Sequence, residues 1–166
     1  MTTPIISVAK FTRDLLGVDE QLIRLGRHNF EQEEMTGQYI VVDLLALVRV
    51  SESESFDGDA EKVSYGDIWR GTFTLDFYGT DAYNRAKEFG RLARSQVAAE
   101  LKRTLGITVY RASNAQNVAQ LTGQQYGERW QVEIVVDVSE ATLVDTLRID
   151  EAQLQIRSER GIEYDG

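Results

Sequence analysis

Cysteine is absent from the 166-residue chain. That excludes disulfides, thiolate nucleophiles and cysteine-ligated zinc or iron–sulfur centres. Only one proline and one histidine occur, Pro4 and His28. A lone histidine cannot build a histidine-rich metal site. No apolar run reaches the ~18 residues a membrane helix needs. The stretch MTTPIISVAK has neither the basic start nor the long apolar core of a secretory leader, so the expected first compartment is the cytoplasm. The GxGxxG, GxxxxGK[ST] and GxSxG patterns are missing too, and with them the usual signatures of dinucleotide, P-loop and hydrolase-elbow chemistry.

Basic residues are also in short supply: Lys+Arg number 18 against 27 Asp+Glu, for a formal net charge of −9 and a pI near 4.7. Such a balance opposes general binding to a phosphate backbone, which needs clustered cations, though it leaves room for a local basic patch. Apolar residues make up 42% of the chain. A single domain over residues 1–166 is the expectation, with roughly two-thirds of the unfolded-chain surface buried on folding.

Apolar periodicity sets the expected elements. Residues 4–16 place Ile5, Val8, Phe11, Leu15 and Leu16 at helical spacing behind Pro4, with Gly17 as the stop. Gln21–Leu25 fits a short strand or a helical continuation. Tyr39–Val50 is apolar on both parities and reads as a central strand covered on both faces. SESESFDGDAE, residues 51–61, is dense in like charge and reads as an exposed acidic loop. Glu31 to Glu34 is also loop-like. Residues 63–78 alternate as a half-buried strand, with a break expected near Gly66 or Gly71. From Thr80 to Gly106 the spacing of Ala82, Ala86, Phe89, Ala93, Val97, Leu101 and Leu105 predicts one long helix. Ile107–Ala112 reads as a strand, and Asn114–Leu121 as a short helix or turn ending at Gly123. Residues 129–138 alternate cleanly through Trp130, Val132, Ile134, Val136 and Val138. A turn over Ser139–Thr142 and a last strand pair or bent strand over 143–157 complete the order α-β-β-α-β-β-β. This order predicts an α+β fold with a mixed, mostly antiparallel sheet packed by one long and one or two short helices. Residues 157–166 read as a flexible C-terminal segment.

Chemistry-bearing candidates are few. Asp43, Asp76 and Asp137 fall on strands, and three strand carboxylates could clamp Mg²⁺ for phosphodiester cleavage. Asp76 and Asp137 equally sit where half-buried strands show their polar side. Asp43 lies in the most apolar strand, with Arg49 or a helix arginine as the expected partner. His28 could act as a general base but lacks convergent partners in the sequence. DGDAE at 57–61 has part of a calcium-loop composition without the twelve-residue ligand spacing. Arg85, Lys87, Arg91, Arg94, Lys102 and Arg103 form a basic helix face, expected to be solvated or paired with acids. Trp69, Phe73, Phe77 and Trp130 fall on apolar parities and read as core or subunit interface rather than base-stacking platforms. No catalytic, cofactor-binding or metal-ligating residue is assigned.

The order of segments resembles the tail or neck terminator proteins of tailed bacteriophages. The resemblance runs through LIRLGRHNFEQ, QYIVVDLLALVRV, YGDIWRGTFTLDFYGTDAYNRAKEFGRLARS, LKRTLGITVYRAS, NAQNVAQLTG and QQYGERWQVEIVVDV, over roughly residues 5–150. Its more specific parts are the strand–helix junction Phe77 to Ala82 and the stretch Leu121 to Trp130. The resemblance implies a non-enzymatic structural protein of the virion tail or neck, assembled in the host cytoplasm. Such a protein forms a homohexameric ring on the last tail-tube ring, ends tail growth and offers a docking face to head–tail connector or neck proteins. Genomic DNA passes the lumen without specific binding. A different head-completion or baseplate subunit, or a Mg²⁺-dependent nuclease using the strand carboxylates, are the alternatives. Loop 30–37, loop 51–62 and the C-terminal segment are the expected contact regions.

Overall fold

The computed structural model describes residues 3–26, 37–59, 61–118, 121–122, 125–126 and 128–145. Helix α1 spans Pro4–Leu16 and ends at Gly17, which adopts the left-handed conformation (φ 62°). A 3-10 turn at Glu20–Leu22 runs into strand β1, Ile23–Leu25, so both expectations for this stretch hold in succession. Strand β2 covers Tyr39–Asp57 and β3 Lys62–Tyr78. Helices α2, Ala82–Leu92, and α3, Gln96–Leu105, follow. Then come β4 (Ile107–Ala112), β5 (Gln116–Asn117), β6 (Leu121–Thr122), β7 (Gln125–Tyr126) and β8 (Arg129–Asp145). The main sheet has the order β1-β2-β3-β8-β4, with β5 also on β8. Only β1–β2 is parallel within it, and β6 and β7 form a separate two-stranded sheet. The fold is α+β with a mixed, mostly antiparallel sheet.

The helices form one layer on one face. In register, Phe77, Leu75 and Phe73 of β3 stand opposite Ile40, Val42 and Leu44 of β2 and Trp130, Val132 and Ile134 of β8. These residues meet Val8, Phe11 and Leu15 of α1, Ala82, Ala86 and Phe89 of α2, and Ala98 of α3. Phe89 is central: its ring lies 6.2 Å from both Phe11 and Phe77. The strict alternation of β3 and β8 delivers one apolar side chain per two residues to this layer.

Several sequence expectations are corrected. The long helix is two helices, because Ser95 takes an extended conformation (φ −81°, ψ 164°) and its hydroxyl donates to the Leu92 carbonyl, ending α2. The SESESFD part of the acidic segment is strand, not loop: Glu52, Glu54 and Phe56 alternate with Ser51, Ser53 and Ser55, and backbone pairing with β3 continues to Asp57↔Lys62. The break expected in β3 lies in its partner, where register shifts between Leu44/Ala46 and Arg49/Ser51 place two bulges in β2. The extra residues are Leu45 and Val50. The strand is not covered on both faces, since burial is confined to Tyr39, Ile40 and Val42. Within Asn114–Leu121, Gln116–Asn117 is strand rather than helix, drawn onto β8 opposite Gln131 and Trp130. Ser139–Thr142 is no turn; β8 runs straight through it to Asp145. The expectations for Glu31 to Glu34, residues 146–157 and the C-terminal segment lie outside the described residues, as does Gly123.

The junction between β3 and α2 is sterically tight. Gly79 has φ +87°, and a Cβ there would sit 2.4 Å from the Gly37 carbonyl oxygen. Gly79→Ala is therefore expected to lower unfolding stability by about 1–3 kcal/mol, read as a shifted urea midpoint at unchanged m-value.

Candidate functional site

The helical layer covers only part of the sheet. Strand β4 pairs with β8 as far as Val138, opposite Ile107. Beyond that point β2, β3 and β8 continue as a three-stranded arm, from the Ile68↔Ser139 pair to Lys62↔Asp145. Seven paired rungs correspond to about 23 Å. The register fixes what each face of the arm carries. One face has Ser51, Ser53 and Ser55, then Ser64, Gly66 and Ile68, then Ser139, Ala141 and Leu143. A Cβ at Gly66 would lie 2.6 Å from the Ser53 hydroxyl, so a glycine is needed where the strands close. The other face has Glu52, Glu54 and Phe56 across from Asp67, Tyr65 and Val63, themselves across from Glu140, Thr142 and Val144.

Two features of this arm are costly in an isolated chain. First, large apolar side chains stand in water: Phe56 is 67% and Val144 45% exposed along one rung of one face, and Leu143 is 67% exposed on the other. Apolar surface gathered in one place marks an interaction surface more often than scattered single residues do. Second, Glu52, Asp67 and Glu140 lie side by side across the three strands. Like charges directly opposite one another destabilise a sheet. Arg49 offsets part of this, 3.5 Å from Glu52 and 3.8 Å from Asp67. At the tip the Asp57 carboxylate accepts from the Asp59 amide, closing the turn on itself. DGDAE is thus the end of a hairpin.

The strand aspartates do not converge. All three face away from the helices, but Asp137 pairs across to Arg70, six residues along β3 from Asp76, or about 20 Å. Arg70 holds Asp137 with two hydrogen bonds of 2.7 and 2.8 Å. These bonds keep the Asp137 carboxyl below its ordinary value against the opposing effect of burial. Asp76 accepts from Arg129 at 3.2 Å and from Gln131 at 2.9 Å. Asp43 lies against Gly26, whose amide donates to the Val42 carbonyl at 2.6 Å. Arg49, the partner expected for Asp43, points instead to Glu52 and Asp67. Among the described residues no group of three His, Cys, Asp or Glu side chains is placed to hold a metal ion. His28 lies outside the described residues.

The remaining candidates have structural places. Phe73 and Phe77 are fully buried; Trp130 is partly buried with its ring 4.6 Å from Tyr83. Tyr39 and Tyr78 stack at 4.6 Å, and burial pushes both phenols up against the opposing pull of Arg129. Of the basic helix face, Arg91 pairs with Glu88 at 3.1 Å and Arg103 with Glu100 at 3.7 Å. Arg94 donates to the Ala112 carbonyl and Arg85 to that of Tyr78. The sequence reading missed Arg70 and Arg129. Their signal was available: each stands on the polar parity of a strand whose partner carries an aspartate.

The Arg70–Asp137 pair makes stability depend on acid. A carboxyl whose folded pKa is depressed contributes fully above its unfolded value of 3.8, and the contribution disappears as pH falls through the lower folded value. Asp137→Asn is expected to lower the urea midpoint at pH 7. The gap to the natural protein should close on titration below pH ~4, followed by tryptophan fluorescence.

No curated protein matches the chain. The family model described as phage neck terminator protein matches residues 7–160, which includes the arm and the helical layer from the fourth residue of α1 onward. With a match over that much of the sequence, the chain belongs to the phage neck terminator protein family.

Proposed function

We propose that this protein closes into a homohexameric ring on the end of the tail tube or neck, stops further growth there and presents the opposite rim to head–tail connector proteins. The activity is recognition and blocking, without bond-making. The observation that carries this reading is the arm: three strands extending about 23 Å past the last β4–β8 pair, with Phe56, Leu143 and Val144 exposed. A ring needs a heterologous contact, one patch on each copy meeting a different patch on the next, and closes when the rotation divides the circle. A projecting arm at one end of a sheet supplies one of those two patches. Covering the exposed side chains would return roughly 25 cal/mol for each Å² of apolar area removed from water.

The protein then resides in the virion neck, after assembly in the host cytoplasm. Among the described residues no helix is long and apolar enough to cross a membrane. Genomic DNA passes through the lumen of such a ring, and the net charge of −9 supports a wall that repels phosphate and limits sticking. A metal-dependent nuclease is the weaker reading, because Asp76 and Asp137 are each engaged by an arginine and lie far apart along the sheet.

The test is to shorten the arm. In register, Glu52 stands opposite Asp67, so replacing residues 53–66 by Asn-Gly joins the strands through a two-residue turn. The shortened protein is expected to keep its far-ultraviolet spectrum, to lose rings in negative-stain images and to stop binding purified tail tubes. Rings and tube binding at the level of the natural protein would remove the arm from the function. In parallel, incubation of the natural protein with duplex DNA and Mg²⁺ is expected to leave the DNA intact. Chelator-sensitive cleavage that vanishes in Asp43→Ala would restore the nuclease reading.

A further inference from the structure

We propose that an open basic groove along α2 receives the acidic arm of the next copy of this chain, making this pair of surfaces the contact that propagates the ring. The inference rests on the ring reading and adds the identity of the second patch. The groove lies between α2 and the turn after β4, has a volume of about 930 Å³, and is lined by Lys87, Arg91 and Arg94, with one acid, Glu88, which pairs with Arg91 at 3.1 Å. It is open to solvent and cationic. Lys87 sits 5.9 Å above the Tyr83 ring, and Arg91 is 75% exposed.

Charge selects the occupant. The groove lining carries three bases, Lys87, Arg91 and Arg94, against one acid, Glu88, net +2, in a chain whose total is −9. The arm segment 49–67 carries six acids against two bases, net −4. Within it Glu52 and Asp67 stand directly opposite each other, with Glu140 beyond Asp67. Arg49 lies between the first two at 3.5 and 3.8 Å and offsets part of the repulsion, and an incoming cation relieves more of it. The tip adds Asp57, Asp59 and Glu61. Duplex DNA is the other polyanion that would suit a cationic groove, but a chain at −9 repels it at long range, whereas the arm brings its charge on a shape fixed by two strand pairings.

Geometry makes the contact intermolecular. The Ser113 amide at the groove donates to the Glu133 carbonyl, and Asp145 at the arm tip lies twelve residues further along β8, about 40 Å away. A continuous strand cannot fold back over that distance, so the groove and arm of one copy never meet. Two different, complementary patches at a distance on one rigid sheet give a heterologous interface, the kind that closes a ring or extends a filament.

The experiment is a charge exchange read by sedimentation velocity and negative-stain imaging, with and without purified tail tubes. Lys87→Glu/Arg91→Glu and Glu52→Lys/Glu54→Lys change exposed side chains and are checked for folding by thermal melts. Each alone is expected to weaken assembly by about tenfold or more. Mixed one to one, they are expected to form rings again, because groove and arm then alternate in sign around an even-membered ring. A single chain carrying all four changes should also assemble. Wild-type assembly by each separate variant, or loss in both with no recovery on mixing, overturns the contact while leaving the ring itself standing. Natural protein that stays single even on tail tubes overturns the ring and the contact together. A groove variant that assembles normally but loses retention of duplex DNA in a filter assay overturns it in favour of a phosphate site.

Discussion

Everything in this molecule is arranged around one strand. β3 is hydrogen-bonded to β2 on one side and β8 on the other for its whole length, from Lys62 to Tyr78. Its alternation is unbroken, so the side chains that enter the core at Phe73, Leu75 and Phe77 share a face with Trp69, Asp67, Tyr65 and Val63 further along. The helices are too short to follow. α1, α2 and α3 contain 13, 11 and 10 residues, about 15–20 Å each, against more than 50 Å of strand. Ten of the seventeen β3–β8 rungs lie in the covered part and the remaining seven run on as the arm. The composition changes accordingly, from fully buried phenylalanines to serines, glutamates and a few exposed apolar side chains such as Phe56 and Leu143.

This division also explains where the ionic interactions sit. Arg70–Asp137 and Arg129–Asp76 hold the polar face of the covered half, each joining β3 to β8. They brace adjacent strands where helices pack behind them. Past Val138 the cross-strand ion pairs include Arg49 to Asp67 and Lys62 to Asp145, at 3.8 and 3.9 Å, both with substantial exposure. Surface pairs of that kind contribute little to stability. The arm is therefore held by backbone pairing and offers its charge outward, which suits a surface that meets another protein.

Much of the core was legible in the sequence. The periodicity of α1, its stop at Gly17, the alternation of residues 129–138 and the αL stop at Gly106 all rest on local rules that tertiary packing did not override. One expectation failed where composition was allowed to outweigh period, and another where helical period ran on across the break at Ser95. SESESF alternates at period two as strictly as any strand in the chain, yet its charge density suggested a loop. The site was less legible still. Asp43, Asp76 and Asp137 looked like a constellation because each stands on a strand; pairing to Arg70 and Arg129 depends on register, which no single segment encodes.

The amino-acid order alone thus determined which segments bury a face, where the first helix stops, the absence of thiol chemistry and the acidic balance of charge. Those are local or compositional properties, decided by side-chain type and spacing along a few turns or rungs. Only the tertiary structure decided that an acidic stretch becomes a strand, that the long helical period breaks at Ser95, and that cationic groove and anionic arm stand at opposite ends of one sheet. The physical reason is that each depends on a partner distant in sequence: a strand exists when a neighbour accepts its hydrogen bonds, and a charge acquires a role from the surface it is held against.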